Sequence, residues 1–235
     1  MPLSPTPELH AAIERLYVAF QDYPLPSSMP PCPCCHSVDS ERPLYSRPLR
    51  KLGPEDLKEY ARDALLVWGG IDEFRHFLPR IFEIAAYAER FSFPEPEIVF
   101  SKLYHGDWQK WPQTEYEAVQ EFLMALWCAA LEEPPCSDLR LAPAVESWLC
   151  TMAHTGGDLL PYLTRWIESC SSSATPSWNL AALIYRTGMP QGRPVGISAF
   201  WKDRMDQAIQ VSEWLNTEAV RNTLEKAAKI YLNEA

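Results

Sequence analysis

At 235 residues, 47% of them hydrophobic and 22% charged, the chain can bury a sizeable core, which excludes a disordered segment and a fold that needs disulfides. A net charge of −10 excludes a nucleic-acid binder that relies on bulk positive charge, because phosphates demand a basic surface. No run reaches the roughly 18 apolar residues of a membrane span, and MPLSPTPELH has no basic stretch followed by an apolar one. The seven cysteines are an odd number, several inside helical patterns, and point to reduced thiols. The expectation is a cytoplasmic protein with no membrane or nucleic-acid partner.

Pro5-Thr6-Pro7 leads into a first predicted helix over residues 7–22, where Leu9, Ile13, Leu16, Tyr17 and Phe20 recur at steps of three and four. An irregular Cys- and Pro-rich segment follows, at about 23–53, with a short extended piece expected near 43–49. Irregular stretches of this length are usually functional, metal-stabilised or mobile. Gly53-Pro54-Glu55-Asp56 opens the next helix, with proline in its first turn and acids at the positive end of its dipole. Leu57, Tyr60, Ala61, Ala64, Leu65 and Trp68 line one face until Gly69-Gly70.

The stretch 71–90 is the predicted hub. Phe74, Phe77, Leu78, Ile81, Phe82, Ala85 and Ala88 share one broad stripe, and Asp72, His76, Glu83, Tyr87 and Arg90 lie opposite. Pro79 removes one backbone hydrogen bond and is expected to bend it. With the helix before it, the hub should form an antiparallel hairpin. Further helices are predicted from 94 to about 104, and over 113–132, 138–153, 158–170 and 177–187; a loop at 188–196 precedes two last helices at 198–215 and 217–232. About ten helices in antiparallel pairs, with no strand, make a single all-α domain over 1–235, as an irregular α-solenoid or an orthogonal bundle. The hub's FLPRIFEIAA resembles the first helix of a HEAT repeat, and that resemblance implies a solenoid, although no repeat consensus returns.

Five stretches carry candidate chemistry. Cys32-Pro33-Cys34-Cys35-His36 packs four metal-ligand types into five residues, and Cys32 and Cys35 have the C-x2-C spacing that brings two thiolates to one zinc ion. The candidate metal ligands are Cys32, Cys35, His36 and His76, with Cys150 and His154, four apart on a helix, as a possible completion. The CPCC run also resembles the opening of a small cysteine-rich bacterial family. Glu73-x-x-His76 is one half of a di-iron pattern whose second copy is missing. His154-Thr155-Gly156-Gly157-Asp158 reads as a helix connector capped by Asp158. The loop 188–196, with Arg193, lacks the Lys-Ser/Thr of a phosphate loop and reads as an exposed loop or as a partner contact. Trp108 and Trp111, just before a long helix, read as core caps or as an aromatic recognition patch.

Two functions follow. The first is a non-catalytic protein-interaction role. In acidity, size and lack of a catalytic motif the chain resembles bacterial immunity proteins, which implies a protein partner such as a basic toxin. The alternative is a zinc-binding protein or metal-dependent enzyme built on Cys32–His36.

Overall fold

The computed structural model describes residues 2–89, 92–135, 144–187 and 199–231, and among them the fold is all-α. In chain order the helices are α1 (Pro7–Ala19), α2 (Pro54–Asp63), α3 (Ile71–Tyr87), α4 (Pro96–His105), α5 (Gln113–Glu132), α6 (Ala144–His154), α7 (Leu160–Ser169), α8 (Ala174–Thr187), α9 (Met205–Leu215) and α10 (Glu218–Tyr231). The chain groups into two compact units, Met1–Leu126 and Trp127–Ala235, with the division falling inside α5.

In the first unit the helices start where local chemistry supplies caps. Thr6 Oγ1 accepts the Leu9 amide at 3.1 Å, and Pro7 occupies the first turn where its missing N–H costs nothing. Glycines precede α2 and α3 and have no side chain to cap with. Instead Asp56 and Glu73 reach back to the amides of Gly53 and Gly70, at 2.8 and 3.0 Å. The hub, α3, runs unbroken through the buried Pro79 and packs against α1, α2 and α4. It is buried more widely than the predicted stripe, because Ile84 and Ala86 are covered as well. Phe82 stacks on Phe100 of α4 at 4.5 Å and on Phe122 of α5 at 5.5 Å. Burying each of these rings contributes about 1.5–3 kcal/mol.

Three predicted elements differ. The helix expected to reach Trp68 ends at Asp63, because Leu65 takes a left-handed φ of 64° and its amide turns to the Trp68 carbonyl at 3.2 Å. A leucine adopts that conformation only when surrounding contacts impose it. Here they do: the Val67 carbonyl accepts the Cys32 amide at 3.0 Å, and the Trp68 indole donates to the Met29 carbonyl at 2.7 Å. The extended piece expected at 43–49 is not formed, since Val38–Tyr45 and Leu49–Lys51 are tight 3₁₀ turns. The helix expected over 198–215 is divided, with a 3₁₀ turn at Ala199–Arg204 and α9 after it.

The second unit is built on indoles. Trp127 and Trp166 meet edge to face at 5.4 Å, and Trp214 tilts against Trp166 at 5.5 Å. Trp127 donates to the Tyr162 carbonyl at 2.8 Å and Trp166 to the Pro176 carbonyl at 2.9 Å, so both rings are buried without stranding an N–H. Asn179 bridges the Leu131 and Glu133 carbonyls at 2.9 and 2.8 Å, which satisfies the C-terminal end of α5.

Candidate metal centre

The Cys32–His36 segment is a single tight turn. The amides of Cys35 and His36 both donate to the Cys32 carbonyl, at 3.0 and 3.1 Å. The turn is fastened to the chain after α2 by the Cys32–Val67 and Trp68–Met29 hydrogen bonds. Gly69 completes the fastening. Its φ of +69° favours glycine, and a Cβ there would lie 2.7 Å from Met29 Sδ, so the methionine would have to shift.

This geometry brings three thiols together. Cys32 Sγ lies 2.7 Å from Cys34 Sγ, Cys34 Sγ lies 3.8 Å from Cys35 Sγ, and all three fall within 4.8 Å of one another. Zinc–thiolate bonds of about 2.3 Å place the sulfurs of one ion roughly 4 Å apart, a separation that Cys34 and Cys35 already have, while Cys32 and Cys34 stand closer and would move apart around an ion. Cys34 and Cys35 are exposed and Cys32 is half-buried. Hydrogen bonding from Cys34 holds the Cys32 thiol below the ordinary range, whereas its two sulfur neighbours push Cys34 up to about 11. The proton of such a cluster is shared unequally, with Cys32 the readiest thiolate.

The predicted ligands divide. Cys32 and Cys35 are brought together. His36 is turned away from them: its side chain is buried, Nε2 meets Asp63 Oδ2 at 2.9 Å, Nδ1 lies 3.7 Å from Glu59, and the ring packs on Trp68 at 4.9 Å. His76 donates from Nδ1 to the Tyr23 carbonyl at 2.8 Å and stands edge-on to Phe77. Both imidazoles anchor the fold around the turn. Among the described residues, the group of three or more potential ligands that converges is Cys32, Cys34 and Cys35, without His36, His76, Cys150 or His154. Cys34 stands in the same run but outside the C-x2-C spacing, so the spacing alone passed over it.

The other stretches resolve as structural. Glu73 caps α3. Asp158 Oδ1 accepts the Leu160 amide at 3.0 Å, and Gly156 takes a φ of 76° in the connector after α6. Trp108 is buried and stacks on Tyr116 at 5.2 Å. Trp111 is buried too, donates to the Gly106 carbonyl at 2.7 Å, and carries the Arg75 guanidinium 4.7 Å above its ring. Neither indole offers a surface patch. Arg193 and the loop at 188–196 lie outside the described residues. No described helix is long and apolar enough to cross a membrane.

No family model, no curated protein and no solved structure matches the chain.

Proposed function

We propose that this protein binds a thiophilic ion through Cys32, Cys34 and Cys35, in the zinc-type role that the cysteine run suggested. The observation that carries this reading is the convergence of three sulfurs within 4.8 Å on one hydrogen-bonded turn. Soft thiolates favour thiophilic ions over hard ones. The ion would hold the turn whose Cys32 amide is fastened to the Val67 carbonyl after α2, so binding and local stability are linked.

Metal analysis of the purified chain, with thermal unfolding in the presence and absence of chelator, tests it. Stoichiometric metal that is lost on Cys32→Ser or Cys35→Ser supports the site. No bound metal and an unchanged melting curve in chelator remove it.

A second reading, the interaction protein with a basic partner, is favoured by a different observation. Trp178 and Tyr185, two turns apart on α8, are 54% and 72% exposed, and Ala181 lies exposed between them. Aromatics of this kind are enriched at protein interfaces. If the partner is basic, its affinity for this acidic chain falls with added salt. Loss of a defined partner on Trp178→Ser and Tyr185→Ser supports it, and retention of binding sets it aside.

A further inference from the structure

The ion class follows from where the three donors stand. Cys32, Cys34 and Cys35 stand at three of the four positions of one turn, so a single short segment supplies all three converging donors. His36, the neighbouring candidate, is held by Asp63, and no described carboxylate or imidazole joins the three sulfurs. Structural zinc needs four ligands arranged around it. An ion with a stereochemically active lone pair needs three ligands on one face and leaves its other face bare.

We propose, building on the thiol-site reading above, that Cys32, Cys34 and Cys35 form a pyramidal site for a trivalent metalloid of the arsenite type. Charge and stoichiometry agree with this choice. Three thiolates exactly neutralise a trivalent centre, whereas a divalent or monovalent ion would leave the site anionic on a chain of net charge −10. The reaction is a condensation: As(OH)₃ and three S–H groups give As(S)₃ and three water molecules. Three As–O and three S–H bonds break, three As–S and three O–H bonds form, and no electron or net proton is transferred. The exposure of Cys34 and Cys35 lets the incoming species reach the turn from solvent.

The test titrates the full-length reduced chain with arsenite, zinc(II) and copper(I) in parallel, reading thiol count, intact mass and the near-ultraviolet sulfur-to-arsenic absorption. A variant with serine at positions 32, 34 and 35 together controls for the remaining cysteines. The expected result is one arsenic per chain, a mass gain of one arsenic less three hydrogens, and the loss of three reactive thiols. Cys34→Ser and Cys32→Ser should each weaken binding at least tenfold, with helix content by circular dichroism unchanged. Binding that survives Cys32→Ser would mean a two-thiol adduct and would overturn the proposal. Tight zinc or copper(I) binding without arsenite binding would also overturn it, while leaving the thiol-site reading intact. Failure of all three probes would remove both.

Discussion

The two units dispose of their buried polar groups by different means. Residues 2–126 add charge to neutral donors such as the Trp68 and Trp111 indoles. Arg80 and the Tyr17 hydroxyl converge on Glu83 Oε2 at 2.7 and 2.6 Å, Arg75 meets Glu115 at 3.2 Å, and His36 meets Asp63. Residues 127–231 use neutral donors. Indoles of Trp127 and Trp166 reach carbonyls, Trp201 donates to Glu146 at 2.5 Å, and Asn179 spans two carbonyls. Among the described residues, the ion pair of the second unit is the exposed Arg165–Glu168. Charged networks titrate and respond to salt; amide and indole hydrogen bonds do not. The first unit should therefore be the tunable one, and the second should owe its stability to packing.

The largest effect expected of this contrast lies in the second unit. Trp166→Ala removes a fully buried indole, its bond to Pro176, and its contacts with Trp127 and Trp214. It should cost about 3–5 kcal/mol in denaturant unfolding, with the loss insensitive to salt. A loss below about 1 kcal/mol would contradict a packing-dominated unit.

Next comes Lys102 in the first unit. Its amine is 1% exposed, Nζ has no hydrogen-bond partner, and burial pushes its pKa down to about 8, with Asp63 opposing and Arg62 reinforcing the shift. Lys102→Met should stabilise by on the order of 2 kcal/mol at pH 7, since it removes an unpaired buried polar group. The sign of the pH dependence follows from proton counts. Between pH 8 and the ordinary lysine pKa the unfolded chain holds more protons, so the native wild type gains stability as pH rises. The gap between variant and wild type should shrink over that window.

A smaller effect concerns a titrating group that the second unit buries. His154 donates from Nε2 to the Phe200 carbonyl at 3.1 Å, and desolvation lowers its pKa. The unfolded chain then takes up the proton first as pH falls through the ordinary histidine range, so stability present at neutral pH is lost on acidification. His154→Gln should flatten that part of the acid-unfolding curve. A curve that keeps its slope would show that His154 does not carry it.

The smallest effect is at the surface of the first unit. Arg50 pairs with Glu14 at 2.6 Å and lies 3.6 Å over the Tyr17 ring, yet both charged groups are about half exposed. Arg50→Ala should cost less than about 1 kcal/mol and less still in high salt. A larger, salt-independent loss would mean that the cation–ring contact dominates.

The helices were largely legible from the sequence, and the reason is visible at particular places. α5 runs over the residues that its apolar spacing indicated, because Pro112 and Pro134-Pro135 punctuate it on both sides. α2 misled, since its apolar spacing continues through Trp68 while its backbone stops at Asp63. The early stop depends on the Met29 and Cys32 contacts, more than thirty positions away, which no local pattern contains. The candidate site was half legible. Cysteine crowding marked the turn, but the spacing rule chose Cys32 and Cys35 and passed over Cys34, and the Asp63 that removes the candidate His36 lies in another element.

The sequence by itself therefore determined the all-α class, the Asp158 cap and the presence of a cysteine-rich turn, because propensity, periodicity and proline punctuation act over a few residues. Only the tertiary structure decided where α2 ends, which way His36 and His76 face, that Trp108 and Trp111 are core, and that Cys34 completes the thiol group. Each of these rests on a hydrogen bond or ring contact between separate segments, and such contacts exist only once the chain has folded.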